Sequence, residues 1–235
     1  MKICLIASMI VILTSVIAGQ EQKVLTAEDF STGKVDRGPG RERLALKIQI
    51  NKRLPPYTFN IIPDPAVSDS GGSDNPVHHV GWIEISAGNS NSARQKIDVS
   101  TRAGASNLTR SFTAEDVNFD GFLDIAVFHE FGAKWGRVDY WLYDKHTGRF
   151  IRDPLTRELK RMTFAEMERN TKTKELTFTD YIGVCQQNST YKVTGGHLLM
   201  MERVHRVCTQ SGEKVFLEKR VNGRMKLVKT SHTKY

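Results

Sequence analysis

The sequence predicts a mostly-β, antiparallel single domain with at most one short helix, arranged as a sandwich or as a propeller-like set of small sheets. Three observations predict it. Short segments that alternate apolar and polar residues recur along the chain, as half-buried strands do when successive side chains point to opposite faces. Turn signals separate them, above all Asn222-Gly223, a pair that readily takes the positive dihedrals of a two-residue hairpin loop. Helical periodicity, by contrast, is almost absent.

Taken in order, residues 1–18 read as an export signal. Met1-Lys2 is a short basic start, an apolar run follows, and Val16-Ile17-Ala18 offers small residues for cleavage. The run is short for a bilayer span of about 20 residues, so no membrane span is expected after cleavage. Cys4 lies too early to carry a lipid at the cleavage site. Residues 19–43 are polar, contain Gly33, Gly38, Pro39 and Gly40, and read as a flexible leader. The β-rich domain is then 44–235, a length that suits one sizeable core.

Within that domain the alternating segments are 44–50, 57–62, 82–85, 95–99, 123–128, 138–143, 176–184, 191–193, 198–208 and 215–219. Lys145-His-Thr-Gly148 separates 138–143 from Phe150-Ile151, and 63–76 reads as a long loop rich in Ser, Asp and Gly. The one helix is expected over 163–169, where Thr163 could cap and Glu166 follows three residues later.

Signal removal leaves Cys185 and Cys208, an even count that in an exported chain favours one disulfide stapling neighbouring strands. The chain carries 34 Lys+Arg against 26 Asp+Glu, a formal net charge of +8, with the excess concentrated after residue 200. Such a surface attracts an anionic envelope polymer, lipid headgroups or an acidic protein. Export argues against nucleic acid as the partner. The expected location is the periplasm or the exterior.

One stretch demands a specific chemistry. Residues 116–124 spell Asp-Val-Asn-Phe-Asp-Gly-Phe-Leu-Asp. Asp116, Asn118, Asp120 and Asp124 supply side-chain oxygens, the Phe122 carbonyl supplies another, and Gly121 permits the sharp turn between them. Hard cations such as Ca²⁺ take six to eight oxygens from loops of this kind, while Mg²⁺ holds its waters and prefers near-ideal octahedral geometry. An EF-hand needs a bidentate Glu at position 12 and an exiting helix. Position 12 here is Val127, and 124–128 reads as a strand, so the loop is EF-like on a β scaffold and its expected ion, Ca²⁺, is structural.

The stretch beginning Glu115-Asp-Val-Asn-Phe-Asp-Gly, followed by Val138-Asp-Tyr-Trp-Leu-Tyr-Asp-Lys-His-Thr-Gly-Arg-Phe150, resembles bacterial exported proteins with one calcium loop in a propeller-like β domain. Described members of that group include periplasmic immunity proteins that inhibit lysozyme-like effectors of a type IV secretion system. The loop is also similar to FG-GAP loops, but a single copy does not support a repeat-built propeller. The resemblance implies calcium ligation by Asp116, Asn118, Asp120, Phe122 and Asp124, and a lysozyme-like protein effector as partner. It carries over no inhibitory residue.

No catalytic residue is assigned. His129-Glu130 lacks the second His of a zinc-protease motif. Glu166 and Glu168 with Asp180 could form a glycosidase acid and base, but nothing in the sequence fixes their separation and they read better as solvated charges. His78-His79 is a lone pair, and Trp135, clustered with Tyr140, Trp141 and Tyr143, reads first as local packing and alternatively as presented to a partner or a sugar ring by the loop 132–136. Two function classes follow: a non-enzymatic exported binding protein with a structural Ca²⁺, and a cell-wall or polysaccharide hydrolase using Ca²⁺ in the same structural way.

Overall fold

A computed structural model describes residues 24–25, 44–64, 80–88, 94–99, 112–131, 136–162 and 164–234. The signal segment 1–18, most of the leader 19–43, the greater part of the 63–76 loop, His78-His79, Thr163 and Trp135 lie outside the described residues.

Three open sheets and one helix make up the described chain. The first sheet runs β1 (Val24–Leu25), β2 (Leu44–Ile48), β3 (Tyr57–Pro63), β4 (Val80–Ala87) and β5 (Gln95–Asp98), in sequence order. All its pairings are antiparallel except that of β1, which runs parallel to β2. Two residues of the expected leader thus join a sheet, on the backbone row that β2 leaves open. The second sheet is β6 (Phe112–Glu115), β7 (Asp124–Phe131), β8 (Gly136–Asp144) and β9 (Arg149–Ile151). The third is β10 (Glu166–Asn170), β11 (Glu175–Ile182), β12 (Cys185–Thr194), β13 (His197–Thr209), β14 (Gly212–Val221) and β15 (Arg224–Lys234).

Stacking follows from which faces are apolar. In β3 the alternation is strict: Tyr57, Phe59 and Ile61 are buried while Thr58 and Asn60 are half-buried. The second sheet departs from it, since 124–127 and 138–143 are buried throughout. Ile125, Val127, Trp141 and Tyr143 pack on one side with Phe59, Ile61, Ile83 and Ile85 of the first sheet. Ala126, Val138, Tyr140 and Leu142 pack on the other with helix residues Leu155 and Leu159 and with Leu176 and Phe178 of the third sheet. The second sheet is therefore an inner layer, and the architecture is sandwich-like rather than propeller-like. Tyr140 and Trp141 point to opposite faces, and both faces are core.

The helix lies elsewhere than expected. It is α1 (Pro154–Lys160), opened by Asp153, whose carboxylate accepts from the Thr156 N–H while the Thr156 hydroxyl accepts from the Asp153 N–H. Pro154 at the first helical position and Arg157 and Lys160 in the last turn complete a short, well-terminated helix. The segment expected to be helical becomes β10 instead. Met167 and Arg169 are half-buried and alternate with exposed Glu166 and Glu168, and reciprocal backbone bonds between Phe164 and Gly136 pin the chain extended just before it. Two-residue periodicity won over an apparent capping box.

The expected hairpin turn is present, with Asn222 at φ 51° and Gly223 at φ 77° joining β14 to β15. Cys185 and Cys208 form a disulfide between adjacent strands β12 and β13, 23 residues apart with Cα atoms 5.8 Å from one another. It closes the hairpin at the end opposite its turn. Loop-closure entropy for a ring of that size corresponds to about 3 kcal/mol. Reduction, or the Cys185→Ser/Cys208→Ser pair, is expected to lower stability by roughly that amount in denaturant unfolding; unchanged stability would mean that the third sheet does not need its staple.

Candidate functional site

The loop that carries the oxygen ladder connects β6 to β7 along the inner sheet's edge. Its conformation comes from its own side chains. Asp116 Oδ1 accepts from the Asp120 N–H (3.1 Å) and its Oδ2 from the Gly121 N–H (3.0 Å). Asn118 Oδ1 also accepts from Asp120 N–H (3.0 Å), and Asp120 Oδ1 accepts from Phe122 N–H (2.9 Å). Phe119 (φ 60°) and Gly121 (φ 87°) take left-handed backbone, which curls 118–122 around the Asp116 carboxylate. Gly121 has open space where a Cβ would stand, so its φ rather than crowding explains glycine there.

Asp124 is placed differently from the other ladder members. It is fully buried at the start of β7. Its Oδ2 accepts from the Val117 N–H (3.0 Å) and its Oδ1 from the Tyr143 N–H (2.8 Å), so one carboxylate ties the loop to β8. Phe122 packs its ring parallel to Tyr143, 5.3 Å between centroids. Further ties reach the loop from outside its own sheet. Asn51 Nδ2 donates to the Gly121 carbonyl (2.7 Å), and Leu123 N–H donates to the Ile50 carbonyl (3.0 Å), both partners lying in the connection from β2 to β3. From β10 in the third sheet, Arg169 Nη1 donates to the Asp116 carbonyl (2.9 Å) while its Nε lies 3.1 Å from Glu115 Oε2. Tyr140 donates to the other Glu115 oxygen. Asn51 and Arg169 are the members that sequence reading misses, because they lie 70 and 53 residues away from their acceptors and belong to no local motif.

Burial raises the pKa of Asp124 well above its usual value, with Asp120 and Asp116 adding repulsion and the two N–H donors pulling the other way. Asp116 is raised too, by burial first and by Asp120 as well. Carboxylates so placed favour a positive charge among them. Among the described residues no three His, Cys, Asp or Glu side chains gather into a metal cluster. The donor set here is mixed, and each oxygen already holding an N–H retains a lone pair for a cation. Asp116, Asn118, Asp120, Asp124 and the Phe122 carbonyl fit a hard cation by chemistry, short of the bidentate acid an EF-hand adds: Val127 is buried in the core.

On its solvent side the loop borders a hollow of about 490 Å³ lined by Asn118, Asp120, Lys174, Lys192, Gly195 and Gly196. A second, larger groove of about 700 Å³ lies on the outer face of the third sheet, where Glu168, Glu175 and Glu202 are interspersed with Lys172, Lys219 and Arg220. Glu202 is 2.8 Å from Lys219 there. Glu166 and Glu168 are cross-strand neighbours of Thr179 and Thr177, so Asp180 points to the opposite face of the sheet. The sheet separates that acid from the other two. The side chains of His129 and Glu130 lie outside the described residues.

Fold and loop together define a class: a layered antiparallel β domain with an Asx-rich oxygen loop clamped at its inner sheet. No protein-family model matches the chain, and no curated protein matches it either. Among solved structures it is similar to a type IV secretion system related protein of Xanthomonas, with TM-score 0.55 and 16% identity over 80% of this chain and 100% of that one. At that identity the likeness is one of fold.

Asp124→Ala leaves the Val117 and Tyr143 N–H groups buried without acceptors, which is expected to cost about 2–5 kcal/mol. The sign of the pH dependence follows from the raised pKa. A carboxyl raised in the folded state contributes stability that is present below its unfolded pKa, near 3.8, and is lost as pH rises through the folded value. In chelator, the deficit of the variant relative to wild type should therefore be larger near pH 4 than near pH 7, read by denaturant unfolding at both; the reverse trend would contradict this placement of Asp124.

Proposed function

We propose that the chain is an exported, non-enzymatic binding protein in which 116–124 holds a structural Ca²⁺, and that its partner is a lysozyme-like peptidoglycan hydrolase that it inhibits. The observation that carries the reading is the loop itself: five oxygen donors at alternating positions, curled on two left-handed residues and fixed through Asp124, Asn51 and Arg169 to all three sheets. A bound cation would neutralise the carboxylates that burial and mutual repulsion make costly to ionise. The chain's own residues do the rest. Asp124 holds the loop to β8, and Arg169 offsets Glu115 at its entry.

Support for the partner comes from the kinship of fold with a secretion-system related protein, from the resemblance of 115–150, and from the disulfide, which favours an oxidising compartment. A basic surface also suits an anionic envelope, which is the broader form of the same reading.

Two measurements test this. Calcium at a hundredfold excess over its Kd should stabilise the folded state by about 2.7 kcal/mol, and Asp120→Ala should remove most of that gain; an unchanged calcium response in the variant would place the ion elsewhere. In a peptidoglycan turbidity assay the protein alone should leave the substrate intact and should slow a lysozyme-like effector. Lysis by this protein alone would establish the hydrolase reading instead, and no effect on any lysozyme tested would remove the inhibitor role.

A further inference from the structure

The third sheet ends in an unusual edge. β15 is 11 residues long, pairs among the described strands only with β14, and is exposed at every residue except half-buried Met225. The outer backbone row of such an edge is a ready template for another strand. Natural edges are ordinarily kept short, bulged, covered or charged, most often with Lys, a device that deters another basic strand but not an acidic one. Here a single register shift opposite Leu217 and Glu218 is the only irregularity, and proline and glycine are absent.

Charge decides what can pair with it. β15 contains Arg224, Lys226, Lys229 and Lys234, and no Asp or Glu. The acids of the neighbouring strands are already occupied: Glu213 by Arg206, Glu218 by Arg203, and Glu202 by Lys219. Among the described residues none of the four β15 cations has a carboxylate within ion-pair distance. Register sorts the strand by face. Arg224, Lys226 and Lys229 lie beside Val221, Lys219 and Leu217 on one face, whereas Met225 and Leu227 lie beside Arg220 and Glu218 on the other. Leu227 is 56% exposed, so the second face carries open apolar surface at the same edge.

Two β15 edges brought together would gather eight Lys and Arg side chains, four from each, and no acid, so a second copy of this chain is a poor occupant. An extended segment alternating acidic and apolar residues is a better one. Its backbone would complete the ladder, its acids would lie beside Arg224, Lys226 and Lys229, and its apolar residues beside Met225 and Leu227. We propose that β15 is a docking edge for an acidic, extended segment of a partner protein, which adds to the third sheet as a seventh strand. An anionic lipid or polymer would use the charges but not the backbone row, and the row is what makes β15 distinctive. The site is remote in sequence from 116–124 and does not depend on calcium.

The test uses the full chain and a fluorescent ten-residue peptide alternating Glu and Val. Binding should be saturable and weaken with salt. It should fall at least about tenfold for the all-Lys/Val peptide, for the Glu/Val peptide N-methylated at alternate amides, and for the Lys226→Glu/Lys229→Glu protein. That variant should bind the Lys/Val peptide better than wild type does, a gain that a merely misfolded variant would not show. Amides in 224–234 should become protected from hydrogen exchange when the Glu/Val peptide is bound. Equal affinity for the N-methylated peptide, or no new protection in 224–234, would overturn the proposal. So would binding to phosphatidylglycerol vesicles without binding to the peptide, which would assign the charges to a membrane surface. Chelating calcium should leave peptide affinity unchanged, so failure here and failure of the calcium reading are separable.

Discussion

A carboxylate with no exposure to water, Asp124, is the constraint on which the described fold turns. Burying an ionisable group among apolar strands is unfavourable unless its oxygens find donors. Here the donors are backbone N–H groups of two different segments, Val117 in the loop and Tyr143 in β8. The same side chain therefore fixes where the loop ends, where the inner sheet's register begins, and how near Asp116 and Asp120 stand to the core. A surface turn of the same composition would need none of this.

The inner sheet makes that tie matter beyond its own edge. Because β7 and β8 are buried on both faces, a shift of their register would move apolar residues in two cores at once. The β2–β3 connection of the first sheet grips the loop through Ile50 and Asn51, and the third sheet grips it through Arg169. Local chemistry in nine residues thereby reports on the stacking of all three layers. β13 touches this arrangement at its start, where Leu198 packs on the second core and His197 and Leu198 bond to Glu158 of α1. The rest of β13 to β15 is mostly half-buried or exposed and rests on the ladder, on cross-strand ion pairs and on the Cys185–Cys208 bridge.

Much of this was legible in the sequence, for identifiable reasons. Strict alternation at 57–62 gave β3 nearly to the residue, and Asn222-Gly223 gave the last hairpin because few other pairs accept two positive φ values. The oxygen ladder was visible because its residues are consecutive. The helix was not, since α1 has only seven residues and its capping side chain, Asp153, looks like any turn aspartate until Thr156 answers it. Thr163 and Glu166 spell a louder cap in sequence, yet Glu166 opens β10. Asn51 and Arg169 were illegible in principle, because their roles exist only once the three sheets have stacked. That Asp124 would serve the core as well as the loop was equally hidden, for a ligand and a buried anchor have the same letter.

We propose that a cation bound at 116–124 stiffens a loop that Asp124 ties to the inner sheet and that Asn51 and Arg169 tie to the other two layers. Residue-resolved hydrogen exchange with and without Ca²⁺ tests it most directly. Slower exchange on calcium addition should appear together at the Val117, Leu123 and Tyr143 amides, which bond across the loop, the first sheet and the inner sheet. Protection confined to 118–122, or none at all, would contradict it.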